Sequence, residues 1–132
     1  MLMKSLHLSI TLALVFAAVQ ADAESPEPGF DGHAIFAKLP RNDASKKAGE
    51  MARADFQRGV YQIVVYGLRR ATNPQDDYVK ETYGVSVTPI AGCLVSPGIL
   101  GAAEGYNAVM KPLLNEKFGH DIFAKAEQAA SR

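Results

Sequence analysis

The sequence has no tryptophan and a single cysteine, Cys93. A lone cysteine excludes an intramolecular disulfide, so a domain this small must be held by its core alone. Neither sign of charge is in excess: 14 basic and 14 acidic side chains cancel over 132 residues. Nucleic-acid binding, which relies on a basic excess or stripe, is thereby set aside. A long apolar run is missing too. The longest mostly apolar stretch, Leu8 to Val19, has 12 residues, whereas a membrane-spanning helix needs about 20. Disorder throughout is also excluded, because a charged fraction of 21% and a mean hydropathy of −0.04 are ordinary for a globular chain.

What is present begins with an address. Lys4 supplies a positive start, Leu8 to Val19 an apolar centre, and Ala21 and Ala23 the small residues that a signal peptidase reads. Residues 1–23 are therefore expected to be a cleavable signal peptide, cut after Ala23, with cleavage after Ala21 as the other fit. The mature protein is expected to be periplasmic or secreted, with no membrane association once the signal is gone. Lys4 and Asp22 leave together, so neutrality belongs to the mature chain.

Residues 24–40 are expected to form a loose amino-terminal tail, rich in proline and acid at its start, followed by a single globular domain over 41–132. Asn42 or Asp43 is positioned to cap a helix whose apolar positions are Ala44, Ala48, Met51, Ala52 and Phe56, with Gly59 at its end. Val60 to Tyr66 reads as a strand covered on both faces, Gln62 being its one polar member. Asn73-Pro74 followed by Asp76 and Asp77 opens a helix that Gly84 closes. Val85 to Thr88 alternates as a short strand ended by Pro89, with Ile90 to Val95 a second, kinked extended piece. Ser96-Pro97 starts a helix bearing Ile99, Ala103, Tyr106, Met110 and Leu113 on one face. Pro112 is expected to kink or restart it. Gly119 closes it and Asp121 caps a last amphipathic helix.

Seventeen residues, 68–84, separate the two best strands, enough for a crossover between parallel neighbours. The expected fold is a small α/β or α+β domain. A two- to three-stranded sheet contains one β-α-β unit, about four helices flank it, and the carboxy-terminal half is helical. Tyr83 to Pro89 resembles the segment before the cis-proline of thioredoxin-like folds. That likeness covers seven residues and no Cys-x-x-Cys accompanies it, so it assigns no family.

The candidates for chemistry are few. Cys93 sits among Ala91, Gly92, Leu94 and Val95, an apolar setting that predicts a buried and inert thiol. His120-Asp121 could pair an imidazole with a carboxylate, but the position predicts that Asp121 is spent as a helix cap. Arg69 and Arg70, beside Tyr66, are candidates to contact an acidic ligand or partner. Glycines 98, 101 and 105 predict close helix packing rather than phosphate binding, since no lysine or arginine lies between Gly84 and Met110. No metal-ligand spacing and no nucleophile motif occurs, so no metal or other cofactor is expected. The sequence thus reads as a non-enzymatic exported module that binds a protein or small molecule. The alternative is a thiol-dependent enzyme or redox protein using Cys93 with His120, and a third reading is a homodimer joined through Cys93.

Overall fold

The computed structural model describes residues 32–70 and 72–132. The signal segment and the first part of the tail, through residue 31, lie outside these. In chain order the elements are α1 (Gly32–Phe36), α2 (Arg41–Gln57), β1 (Gln62–Tyr66), α3 (Pro74–Tyr83), β2 (Ser86–Ala91), α4 (Pro97–Phe118) and α5 (Ile122–Ala130). Strands β1 and β2 form one parallel two-stranded sheet with α3 as the crossover. This is the α/β architecture with a β-α-β unit that the spacing of strands and caps predicts.

Three of the predicted caps form as expected. Asn73 accepts from the Gln75 N–H, Ser96 from Ile99, and Asp121 from both Phe123 and Ala124, which answers donors that a helix start leaves open. Gly84 and Gly119 end their helices in the left-handed conformation, at φ 69° and 75°. The start of α2 differs from expectation. Neither Asn42 nor Asp43 caps it; the helix begins at Arg41 after Pro40, which makes no side-chain cap. Proline fixes its own φ and enters the helix from extended backbone ahead of both, leaving Asp43 to face the dipole within the first turn.

Proline also bears on two further expectations. Strand β2 does not stop at Pro89 but runs through it to Ala91, with the register slipping by one residue between the Val65↔Pro89 and Tyr66↔Ala91 pairs. Ser86 donates its N–H to Tyr61, so by alternation Pro89 faces the outer edge of the sheet, where a missing N–H removes no ladder bond. The Pro89 peptide is trans, unlike the segment that it resembles. Helix α4 likewise continues through Pro112 without a restart, its face held in the core by Met110 before it and, in place of the expected Leu113, by Leu114 after it.

Helices α2 and α4 pack more closely than side chains would permit. A Cβ on Gly101 would lie 2.1 Å from the Arg41 carbonyl oxygen, and one on Gly105 would lie 2.1 Å from that of Ser45. The partner numbers rise together, so the two helices run parallel, backbone against backbone. Ala44, Ala48, Ala52, Ala102 and Ala103 fill the surrounding core. The larger buried side chains are Tyr106, Phe36, Ile99, Met110, Leu114 and Ile122. Phe36 belongs to the segment expected as loose tail. Instead it ends α1 and is fully buried, its carbonyl pressed against Gly98.

The outer edge of β1 is closed by a side chain. Asn107, on α4, accepts from the Val64 N–H at 2.8 Å and donates to the Val64 carbonyl at 2.6 Å, as a neighbouring strand would.

Candidate functional site

Both strands of a parallel sheet end at the same side, here called the carboxyl edge. Tyr66 and Ala91 lie there, and the chain leaves them to start α3 and α4. Helix α2 starts there too, because Gly98, just inside α4, abuts Phe36 and Leu39. Three helix starts and the two strand ends therefore surround one surface, the usual location of ligand crevices in α/β sheets.

The large apolar side chains left exposed among the described residues all gather on this edge. Leu68 is 85% exposed and Leu94 84%, while Tyr66 and Ile35 are each 42% exposed. Leu68 follows β1, Leu94 follows β2, and Ile35 precedes the buried Phe36 that sits on Gly98. Single exposed apolar residues need no explanation, but here four of the described residues converge on one edge. A groove of about 430 Å³ opens beside them over Val65, Val87 and Ala91.

The charges on this edge are largely committed within the chain. Arg69 pairs with Asp76 in the first turn of α3. Arg41 forks onto Glu104 of α4 at 2.5 and 3.2 Å, and that carboxylate holds the guanidinium more firmly in its charged form. Arg70 has no ion pair among the described residues. Of the predicted contact residues, Tyr66, Arg69 and Arg70 thus share the edge, with Arg69 already bonded.

Cys93 is exposed, against the expectation of burial. The segment after Ala91 crosses the carboxyl edge on its way to α4, and among the described residues no element covers that end. Gly92 and Leu94 on either side of Cys93 are exposed as well, while Ala91 and Val95 pack against the core. His120 lies elsewhere. Its Nε2 shares a 2.8 Å hydrogen bond with the Tyr83 hydroxyl, and its ring packs 5.6 Å from the Tyr83 ring. Tyr83 ends α3 and leads into the first residue of β2, whereas Cys93 follows the last. The length of β2, about 3.3 Å for each of its residues, separates them. Asp121 is spent capping α5, as expected, so neither partner of the imagined Cys-His-Asp group reaches the thiol.

Around Tyr83 the aromatic rings form a cluster, with Phe118 at 4.9 Å and Tyr78 at 6.0 Å between centroids. Desolvation in this cluster, followed by the hydrogen bond to Tyr78, pushes the Tyr83 hydroxyl above the usual tyrosine range.

Sequence reasoning missed a buried polar group. Asp55 is only 7% exposed. Its Oδ2 accepts from the Tyr106 hydroxyl at 2.7 Å and from Gln62 at 3.2 Å, and its Oδ1 meets Arg58. Gln62 in turn accepts from Thr88 at 2.8 Å. Burial first, then the Asp55 bond, drives the Tyr106 hydroxyl far above its normal range. The visible signal was an acid three and four residues beyond Ala52 and Met51 on the apolar side of α2. This group links α2, both strands and α4, and no buried polar side-chain atom among the described residues lacks a partner.

Among the described residues, no three acidic, histidine or cysteine side chains are grouped as metal ligands, and no helix is long and apolar enough to cross a membrane. No protein-family model, curated protein or solved structure matches the chain.

Proposed function

We propose that the chain is an exported, non-enzymatic binding module, and that it docks another protein on its carboxyl edge. One observation carries the reading: Ile35, Tyr66, Leu68 and Leu94, the large apolar side chains left in water among the described residues, converge on that edge. Burying two such leucines on a partner is worth about 1.5–3 kcal/mol each, enough to select an interface around them. Export rests on the amino-terminal pattern of Lys4, the apolar stretch and Ala21/Ala23. Edman sequencing of the protein recovered from a secreting host tests it, with Glu24 expected as the first residue.

The binding reading is tested with paired baits. Wild type and the double variant Leu68→Asp/Leu94→Asp are immobilised and exposed to the extract of the exported compartment, with a thermal-shift screen of small molecules alongside. A protein retained by wild type and lost by the variant is the expected result. Identical retention by both baits, or none by either, overturns it.

Exposure of Cys93 favours a second reading, a thiol-dependent reaction at the same edge. Such a reaction would need a base other than His120. A native-protein thiol titration in which His120→Ala slows Cys93 labelling would restore the Cys93–His120 pair.

A further inference from the structure

Building on the docking reading, we infer that the partner held on the carboxyl edge is a second copy of this chain, related by a two-fold axis that passes near Cys93. An isologous contact must be complementary to itself, with residue i of one copy meeting j of the other and the reverse. This edge meets that requirement. Its centre is apolar, formed by Leu68 and Leu94, and two of its cations are already neutralised on their own chain, Arg41 by Glu104 and Arg69 by Asp76. What remains exposed is of both signs: Lys38 and Asp43 around the start of α2, Arg70 ahead of α3 and Asp77 in its first turn. A two-fold axis can set the last two opposite their counterparts, Arg70 to Asp77 and Asp77 to Arg70. A partner of strong single charge finds no matching field here. The balance of the whole chain, 14 against 14, removes the long-range repulsion that keeps like molecules apart.

The other route by which sheet proteins self-associate is blocked. Asn107 occupies the free N–H and C=O of Val64 on β1, and Pro89 removes a donor from the outer side of β2. Edge-to-edge strand pairing is thereby disfavoured at both strands, and the apolar edge is left as the contact surface.

Cys93 makes the arrangement readable. A disulfide forms only when two Cα atoms come within about 7 Å, which a two-fold axis near this loop provides. With oxidised glutathione as the oxidant, one Cys93 thiolate attacks its disulfide and releases a glutathione thiol. The second Cys93 thiolate then attacks the mixed disulfide and releases the other. Two protein thiols are oxidised, one small disulfide is reduced to two thiols, and the two protons pass to them.

Sedimentation equilibrium of the chain under reductant, from micromolar to millimolar concentration, should show reversible doubling of the mass. Leu68→Asp and Leu94→Asp should each weaken the dimer by at least about tenfold, the size expected of a central apolar anchor. Their circular dichroism and melting should not change, since both side chains are exposed. Cys93→Ser should keep the reversible dimer and lose the cross-link formed with oxidised glutathione. A monomer at about millimolar concentration, or a dimer indifferent to both aspartates, overturns the inference. A monomer whose aspartate variants still lose a heterologous protein in the bait experiment removes the second copy and leaves the docking edge standing. If the baits are also alike, both readings fall.

Discussion

The parallel seam between α2 and α4 gives the sharpest test of the architecture. Replacing glycine by alanine in a helix normally stabilises it by about 1 kcal/mol. At Gly105 the added Cβ would sit 2.1 Å from the Ser45 carbonyl oxygen and 2.6 Å from the carbon that bears it. Ordinary contact starts at 3.4 Å, so the helices must part by about 1.3 Å. The obstructing atoms are backbone, and no rotamer change clears them. Overpacking of this kind costs about 3 kcal/mol at the upper end of its range. Widening the seam by this much also forfeits part of the dispersion between Ala44, Ala48 and Ala102, adding about 1 kcal/mol. After the propensity gain, Gly105→Ala should destabilise the domain by about 3 kcal/mol, a fall in Tm of about 12–24 °C for a domain of this size.

Gly49→Ala on the facing helix is the control. Its Cβ would meet a Val109 methyl at 3.2 Å and the Gly105 carbonyl at 3.4 Å, and the methyl can yield. Strain and propensity then nearly cancel, leaving a change within about 0.5 kcal/mol. Thermal and urea melts followed by far-UV circular dichroism give both numbers. A Gly105→Ala protein that melts within about 4 °C of wild type (roughly 1 kcal/mol), or a Gly49→Ala protein equally damaged, would refute the backbone-to-backbone seam.

Three further outcomes follow from the side-chain groups. Tyr106→Phe removes one of the bonds that satisfy buried Asp55 and should cost about 1–3 kcal/mol in urea melts. Tyr106 also sets a slope at alkaline pH. Its folded-state value is raised, so its stabilising effect is complete below the unfolded value near 10 and is lost as pH climbs, by up to about 1.4 kcal/mol per pH unit. The wild-type stability curve should therefore fall more steeply above pH 10 than that of Tyr106→Phe, and parallel curves would count against the burial. Asn107→Leu leaves the Val64 N–H and C=O unpaired, which should destabilise by about 2 kcal/mol and speed hydrogen exchange at the Val64 amide before global unfolding; unchanged exchange would disprove the edge cap. His120→Ala should leave the labelling rate of Cys93 by a disulfide reagent within about twofold of wild type, since β2 at its extended rise separates the two residues.

Much of the fold was legible because its signals are local. Asn73-Pro74, Ser96-Pro97 and Asp121 announce helix starts by chemistry contained within a turn, and Gly84 and Gly119 announce the ends in the same way. The crossover was legible from chain length alone. What escaped depends on neighbours that are remote in sequence. Pro89 reads as a strand terminator until β2 is seen to pair with β1 on one side alone among the described residues, which turns its missing donor outward. Phe36 reads as tail until Gly98 offers a surface without a side chain to receive it. Cys93 and Leu94 read as core because apolar neighbours usually mean burial, and nothing local reveals that the chain there passes over an uncovered end. Asp55 was visible as an acid on an apolar helix side, but its partners are Arg58 just past α2, Gln62 on β1 and, 51 residues away, Tyr106 on α4.

The same topology that hides the exposed edge from the sequence also produces it. A two-stranded parallel sheet needs a crossover helix and further helices to cover its faces, and each helix that returns to the sheet begins where the strands finish. Glycines 98, 101 and 105 draw α2 and α4 into backbone contact, so their starts lie side by side at that end. With small residues lining the seam, few large side chains are available to extend over the strand ends. The core stops at Ile90 and Ile99 on one side of the edge, and Leu68 and Leu94 stand beyond it in water. Close packing within the chain and an unpaired apolar end are therefore one structural choice. Alanine at Gly105 should disturb the dimer contact only through loss of the fold, whereas aspartate at Leu94 should disturb the contact and spare the fold.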